Sequence, residues 1–181
     1  MINETVWDII NAEVYREGTN RLMGEAKITL PEINFLTTDI KGNGIAGEYS
    51  VPTRGHTENL ESTLTFRVVR HDAVQFLKQD SLHNLNCYAA YESDDSATGV
   101  RKVNQLRVDL RGATKSLNMG EWEPGEVNET ELVLTLNYLR LSENGKELLL
   151  IDKFNYVFKT DGVDYLAAVR KALALQRVAR S

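Results

Sequence analysis

Residues 131–141 read ELVLTLNYLRL, the clearest alternating stretch in the chain. Every second position from 132 to 138 is large and apolar, and these positions are Leu132, Leu134, Leu136 and Tyr138. Glu131, Val133, Thr135 and Asn137 alternate with them. A period of two is the spacing of side chains on one face of a β-strand. The pattern therefore predicts a strand with one buried face and one wet face.

Two other stretches alternate in the same way. From 60 to 68 the apolar positions are Leu60, Leu64, Phe66 and Val68, and from 106 to 110 they are Leu106, Val108 and Leu110. Further strands are expected near 8–16, 22–30, 84–92 and 146–158, separated by the turn signals Glu17-Gly18, Asn144-Gly145 and Ser93–Gly99. The fold class predicted is mainly β (α+β), with an antiparallel β-barrel or sandwich.

Two helices complete the predicted fold. A short helix near 72–79 has Asp72 as its cap, with Val74, Phe76 and Leu77 turned inward. A C-terminal helix near 162–175 begins after Asp161 as N-cap. Its apolar stripe comprises Tyr165, Leu166, Val169, Ala172 and Leu173.

Composition narrows the function classes. The chain has 181 residues and a formal net charge of −5, without a basic block, which argues against DNA wrapping. The single cysteine, Cys87, excludes an intrachain disulfide. The sequence shows neither a signal peptide nor an apolar stretch long enough for a membrane anchor. We expect one domain spanning residues 1–181.

The motifs that could form a catalytic or binding site lack the flanking sequence or the residue spacing that such sites require. Residues 42–47 read GNGIAG, a literal G-x-G-x-x-G, but the stretch before them is polar and Pro52 disfavours a helix after them. The three histidines lack metal-ligand spacing, and no G-x-S-x-G elbow occurs. We therefore expect no catalytic, cofactor or metal site and no enzymatic activity.

The C-terminal third closely resembles the major tail tube protein family of contractile phages. The stretches that carry the resemblance are Asn137–Leu141 (NYLRL), Asn144–Leu148 (NGKEL), Ile151–Val157 (IDKFNYV) and Asp161–Leu173 (DGVDYLAAVRKAL). The family typically ends in NGVD-x-L-x-x-x-R-x-A-L-G-L, from which this chain departs at Asp161 and Ala174. DLRG at 109–112, GEWEPG at 120–125 and ITLPEI at 28–33 are also similar to the family, so the resemblance spans about residues 24–175.

The resemblance implies a structural subunit rather than an enzyme. Members form hexameric rings that stack into a hollow inner tube, which is driven through the target envelope and, in a phage, conducts DNA. The implied partners are the chain itself, the tail sheath protein, and baseplate, initiator and terminator proteins, with DNA only as transient cargo. Assembly would take place in the bacterial host cytoplasm, and the product would be a virion tail or a released tail-like particle.

The resemblance also directs attention to two sets of residues. The polar faces of three strands are the candidates for the tube lumen: Glu61, Thr63, Thr65, Arg67, Gln105, Arg107, Asp109, Arg111, Glu131, Thr135 and Asn137. The glycine-rich loop from Thr37 to Pro52 is the candidate for contact between rings. Its candidate residues are Asp39, Lys41, Gly42, Asn43, Gly44, Gly47, Glu48 and Tyr49.

Three alternatives stay open at this point. The tube of a headless R-type bacteriocin, or of another contractile injection system such as a type VI secretion system, would share the same features. A monomeric ligand- or carbohydrate-binding β-sandwich would show the same alternating strands without assembling.

Overall fold

A closed β-barrel forms the body of the protein. The computed structural model describes residues 4–16, 21–41, 47–66, 74–95, 98–121, 123–125 and 128–175. Its strands are β1 (Glu4–Arg16), β2 (Arg21–Thr29), β3 (Phe35–Ile40), β4 (Tyr49–Thr57), β5 (Leu60–Phe66), β6 (His83–Asp95), β7 (Arg101–Asn118), β8 (Thr130–Glu143), β9 (Lys146–Asp152), β10 (Val157–Thr160) and β11 (Val163–Asp164).

Two long strands close the barrel. The main sheet has the order β11-β10-β9-β8-β5-β2-β1-β6-β7, and β7 also pairs with β8. The strands β8, β5, β2, β1, β6 and β7 therefore form a ring of antiparallel neighbours, and β9 to β11 extend the sheet outside it. The predicted mainly β antiparallel fold is confirmed.

The barrel interior is the hydrophobic core. Its buried side chains come from the inward-facing positions of β1, β5, β6, β7 and β8, and they include Val14, Leu60, Leu64, Leu85, Cys87, Val108, Leu110, Leu132, Leu134 and Leu136. Each fully buried leucine stabilises the fold by roughly 1.5–3 kcal/mol through removal of its apolar area from water. The alternation in β5 and in the first half of β8 therefore predicts the inward face correctly.

One prediction within β8 is wrong. Arg111 pairs with Tyr138 and Gly112 pairs with Leu136, so Asn137 is an extra residue that forms a β-bulge. A bulge of one residue moves every following side chain to the opposite face. Leu139 is buried for this reason, whereas Tyr138 lies on the outer face rather than in the core.

Two tight turns share one signature. Asn144-Gly145 joins β8 to β9 and Asp161-Gly162 joins β10 to β11, and all four residues have positive φ. Two consecutive positive φ angles define the type I′ turn, which Asn-Gly and Asp-Gly favour because glycine has no Cβ. The turn at 144–145 was predicted correctly. Asp161 is a turn residue and not the N-cap that the sequence indicates.

The C-terminal helix is shorter than predicted, spanning Ala167–Ala172 instead of 162–175. Leu166 precedes it and is buried, and Val169 packs partly against the core, but Tyr165, Ala172 and Leu173 are exposed. The predicted apolar stripe is thus reduced to two inward residues.

The helix near 72–79 is also shorter within the described residues. Val74 and Gln75 are helical and a turn follows, while Asp72 lies outside the described residues. Phe76 is buried, but Val74 and Leu77 are exposed, in contrast to the prediction that all three turn inward.

The segment predicted as a loop from Thr37 to Pro52 is largely an antiparallel hairpin. β3 and β4 form a separate two-stranded sheet with Ile40 paired to Tyr49 and Phe35 paired to Thr57. We call this hairpin the arm. All six side chains of β3 are exposed. β4 begins at Tyr49, so the structure has a strand and not a helix after Gly47.

Among the described residues, the structure contains no helix with the length and hydrophobicity needed to span a membrane.

Candidate functional site

The predicted lumen residues divide between two outer faces of the barrel. One face lies on β2, β5, the first half of β8 and the end of β7, where the registers place Thr29, Thr63 and Val133 side by side. We call it the threonine face. Its residues are Lys27, Thr29, Glu61, Thr63, Thr65, Lys115, Glu131, Val133 and Thr135.

The threonine face is electrically balanced. It carries two lysines and two glutamates, and Lys115 Nζ lies 2.8 Å from the Glu61 carboxylate. The remaining side chains are short and β-branched, which suits a pleated surface with one wet side. The face offers neither a charged cluster nor a deep recess for a ligand within its described residues.

The second face lies on β6, the middle of β7 and the second half of β8. We call it the arginine face, and its residues are Asn84, Asn86, Tyr88, Arg107, Asp109, Arg111, Tyr138 and Arg140. Three arginines and one aspartate give it a formal charge of +2. Asp109 lies between two of the arginines, with Oδ1 2.8 Å from Arg107 Nε and Oδ2 4.0 Å from Arg140 Nη1.

Aromatic and amide side chains position these arginines. The Arg111 guanidinium lies 5.1 Å from the centre of the Tyr138 ring, and the Arg107 guanidinium lies 5.4 Å from that of Tyr88. Arg111 Nε also donates a hydrogen bond to Asn84 Oδ1 at 2.9 Å. Cation–π contacts of this kind attract a guanidinium to the face of an aromatic ring. Burial raises the pKa of the Tyr138 phenol, which keeps it protonated.

The network continues onto the outer strands. Arg140 Nε lies 3.3 Å from Glu147 Oε2, and Lys159 Nζ lies 2.7 Å from Glu147 Oε1. Glu147 and Lys159 together add no net charge to the arginine face. A cavity of about 170 Å³ opens on the arginine face between β6, β7 and β8.

Gln105 and Asn137 belong to neither cluster. Gln105 lies where β7 leaves the barrel, and its backbone N–H donates to Asn144 Oδ1 at 2.9 Å. It lines a groove of about 420 Å³ together with Asn11, Ala90 and Asn144. Asn137 forms the β8 bulge. Arg67, the remaining lumen candidate, lies outside the described residues.

The arm presents several of the predicted ring-contact residues. Asp39 accepts a hydrogen bond from Ser50 across the hairpin, and Lys41 pairs with Glu48 at 2.7 Å. Tyr49 is 60% exposed, its cross-strand partner Ile40 is also exposed, and so is Leu36 at the other end of β3. Gly42, Asn43 and Gly44 lie outside the described residues, while Gly47 has a φ of +119°.

The described residues offer few groups suited to metal binding or nucleophilic chemistry. The described residues contain no cluster of three or more histidine, cysteine, aspartate or glutamate side chains able to hold a metal ion. Cys87 faces the barrel interior, and burial raises the pKa of its thiol to about 12. The thiolate that would act as a nucleophile is therefore scarce at neutral pH.

Sequence reasoning missed five residues of the arginine face. Tyr88, Tyr138 and Arg140 reach it only because of strand pairing and the bulge. Asn84 and Asn86 alternate with buried residues at the start of β6, and this period of two is the signal that could have found them. An aromatic residue across the ladder from each of Arg107 and Arg111 is a tertiary feature, and no spacing along the chain reveals it.

Two curated proteins are similar in sequence. The tail tube protein of Escherichia phage P2 is 35% identical over 86 residues, which is 48% of this chain and 48% of that protein. The match thus covers about half of the length of this relative. The major tail tube protein of Serratia phage KSP20 is 24% identical over 149 residues, covering 82% of this chain and 84% of that protein.

Solved structures share the fold. The sheath/tube terminator of an extracellular contractile injection system superimposes with a TM-score of 0.52 at 11% identity, covering 75% of this chain and 96% of its own. The sheath–tube complex of such a system contains a chain with a TM-score of 0.50 at 12% identity, covering 75% and 90%. The family described as phage tail tube protein FII matches residues 7–173. The chain therefore belongs to the phage tail tube protein family, a family of structural tube subunits.

Proposed function

We propose that this chain forms hexameric rings and that the rings stack into the hollow inner tube of a contractile phage tail. The family match over residues 7–173 carries the proposal. Three features of the geometry support it: an unpaired sheet edge, an electrically neutral face and the arm, which would serve ring closure, the lumen wall and stacking in turn.

A three-stranded extension supplies the edge. β1, β6 and β7 continue beyond the barrel as paired strands, with Ile9 opposite Tyr91 and Glu92 opposite Val103. Within the described residues, no strand pairs with Glu4–Ala12 on the side away from β6 or with Arg101–Asn104 on the side away from β6. Unpaired edges invite strand addition, and closing them around a ring removes that liability.

The threonine face suits the wall of the lumen. A polyanion slides along a surface without excess positive charge and is retained by one with such an excess. The threonine face is neutral, whereas the arginine face carries a formal charge of +2. We therefore assign Glu61, Thr63, Thr65, Glu131 and Thr135 to the lumen, and the arginine face to contact with a neighbouring subunit.

The partners follow from this assembly. The outer surface of the tube would contact a sheath protein, and its ends would contact baseplate, initiator and terminator proteins. DNA would be transient cargo in the lumen. The subunits would assemble in the bacterial host cytoplasm and leave the cell as part of a virion tail.

Electron microscopy tests the assembly. We expect the purified full chain at high concentration to form six-fold rings or short tubes in negative stain. A monomeric mass by light scattering at high concentration, both alone and with a tail initiator complex, would contradict the proposal.

The arm tests the stacking role separately. Replacing residues 42–47 by Asn-Gly leaves Lys41 and Glu48 to flank a type I′ turn like that at 144–145. This variant should keep its circular dichroism spectrum and its rings but form no tubes. Tubes of normal length from the shortened arm would show that the tip does not mediate stacking. The Leu166→Asp variant is the contrasting control, because a buried unpaired carboxylate should unfold the subunit.

A further inference from the structure

The arm meets the C-terminal segment at a glycine. Gly55 in β4 has a φ of +67°, and a Cβ placed on it would lie 2.6 Å from Leu166 Cγ and 2.7 and 2.9 Å from the Leu166 methyl groups. The Leu166 side chain is only 4% exposed. It therefore rests directly on the backbone of β4, at a position where any larger residue would displace it.

The other strand of the arm meets the same segment through aromatic rings. The Phe35 ring lies 5.4 Å from that of Phe158 with an interplanar angle of 61°, and Phe158 lies 6.2 Å from Tyr165. Edge-to-face pairs of this kind contribute about 0.5–1.5 kcal/mol beyond the area they bury. β4 is thus held by Leu166, next to the C-terminal helix, and β3 is held by Phe158, which lies in β10 of the main sheet and contacts Tyr165.

An ion pair fixes Leu166 in turn. The Leu166 N–H donates to Asp164 Oδ1 at 3.1 Å, and Arg170 Nη2 lies 2.6 Å from Asp164 Oδ2. Arg170 Nη1 also donates to the Tyr156 carbonyl oxygen at 2.6 Å. The hydrogen bond from Arg170 holds the pKa of Asp164 below its usual value, which keeps the pair charged at neutral pH. Any displacement of the helix is therefore transmitted to Leu166.

The other support among the described residues lies at the base of the arm, where Lys153 Nζ donates to the Glu58 carbonyl oxygen at 2.5 Å. An isolated two-stranded hairpin is marginally stable in water, and all of β3 is exposed. A cavity of about 160 Å³ beside the Leu166–Gly55 contact, lined by His56, Lys153 and Tyr156 among others, leaves room for the arm to pivot.

We propose that the C-terminal helix controls ring stacking through a latch, which consists of Leu166 seated on Gly55 and Phe35 packed on Phe158. With the latch seated, the arm is held at the angle that reaches the next ring. With the helix displaced, β4 loses its contact with Leu166, the arm keeps only the Phe35–Phe158 contact, and stacking is lost. This inference rests on the proposed role of the arm in stacking.

A matched pair of glycine variants tests the latch. Gly55→Ala and Gly145→Ala both place a Cβ on a residue with positive φ, so both carry backbone strain, but of the two only Gly55 has a neighbour within 4 Å. We expect Gly55→Ala to keep the circular dichroism spectrum and the rings, to lose tubes, and to raise amide exchange in β3 and β4 at least about tenfold. Gly145→Ala, in the turn between β8 and β9, should form tubes, with arm exchange close to the wild type.

A second pair removes the contact without a steric overlap. Leu166→Ala vacates the Gly55 contact, whereas Val169→Ala trims the same helix at a residue that packs on the core. We expect only Leu166→Ala to raise arm exchange and abolish tubes. Unchanged arm exchange in Leu166→Ala, or normal tubes despite faster exchange, would overturn the latch while leaving the proposed function intact. Failure of the wild-type chain to form tubes would instead overturn the proposed function, and control of stacking with it.

Discussion

The threonine face and the arginine face are built partly from the same two strands, yet their chemistry differs. β7 and β8 contribute to both, and the bulge at Asn137 separates the two contributions. On one side lie short side chains with balanced charge, and on the other lie three arginines held by one aspartate and two tyrosines. The difference shows how a single inserted residue lets one ladder present two surfaces of different chemistry.

Site-directed labelling of assembled tubes should show the largest difference between the faces. Cys87 provides no background, because it is buried and its thiol pKa is about 12. In tubes, we expect the Thr63→Cys variant to react with a small maleimide but at least about tenfold more slowly with a large polymer-linked one, since a long lumen hinders its entry. The Arg111→Cys variant should be protected from both reagents in tubes and reactive in free subunits.

An exposed control calibrates the labelling. The Lys171→Cys variant, on the exposed side of the C-terminal helix, should react with both reagents unless a sheath covers it. Equal reaction of the Thr63→Cys and Lys171→Cys variants with the large reagent would place the threonine face on the outside of the tube and contradict our assignment.

Gly112 lies at the junction of the two faces, and substituting it should have the second largest effect. A Cβ on Gly112 would lie 2.1 Å from the Thr135 backbone oxygen, and no side-chain rotation can relieve an overlap with backbone. We expect Gly112→Ala to lower the free energy of unfolding by about 3 kcal/mol or more, or to prevent folding. Urea unfolding measures the change.

Gly99→Ala is the matched control for this variant. Gly99 has a φ of +66° and no neighbour within 4 Å of an added Cβ, so only backbone strain of about 1 kcal/mol is expected. Similar urea midpoints for the two variants would mean that the β7–β8 ladder adjusts to the added methyl group.

The inward faces of the strands could be predicted from the sequence up to the bulge. Leu132, Leu134 and Leu136 lie on the same side of the sheet, because every second side chain of a strand faces the same way and burial of that face is favourable. This alternation could not predict the reversal at Asn137, since an asparagine in a strand carries no local sign of an extra residue. The arginine face was therefore found only in part.

The same limit explains the C-terminal error. Asp-Gly at 161–162 is compatible with a helix N-cap and with a type I′ turn, and the local sequence favours neither. Pairing of Val163 with Thr160 decides for the turn. Likewise, the glycines at 42, 44 and 47 led to the prediction of a loop. The structure has an arm there because residues of β3 and β4 pair across the hairpin, and the sequence does not reveal these pairs.

Each face has a carboxylate held in an ion pair, and the two differ in burial. Asp109 lies between Arg107 and Arg140 and its side chain is only 14% exposed, whereas Glu61 pairs with Lys115 on an open surface. We expect Asp109→Asn to lower the free energy of unfolding by about 1 kcal/mol and Glu61→Gln by about 0.5 kcal/mol or less. If Glu61→Gln costs as much as Asp109→Asn, the arginine network has no stabilising role beyond that of a surface ion pair.

The smallest expected effect is on pH dependence, through His83. This side chain is buried beneath the end of the arginine face, on a strand where it pairs with Gly112, and its ring lies 4.9 Å from that of Phe76. Burial, aided by the charge of Arg16, lowers the pKa of His83 below 6.5, although hydrogen bonds to the Phe76 and Lys78 backbone partly oppose the shift. His83 therefore binds a proton near pH 6.5 in the unfolded chain but stays neutral at that pH in the folded chain.

Stability should consequently be full above about pH 6.5 and fall below it, with a slope of at most about 1.4 kcal/mol per pH unit. Asp164 does not contribute in this range, because its pKa lies below 3.8. We expect His83→Gln to remove the slope between pH 6.5 and 5, whatever its effect on stability at neutral pH, and the exposed His56→Gln to retain it. Hydrogen exchange at pH 5 should rise first in β6 and β7 and later in β2 and β5, since the histidine lies under the arginine face. A slope that persists in His83→Gln would show that another group titrates on unfolding.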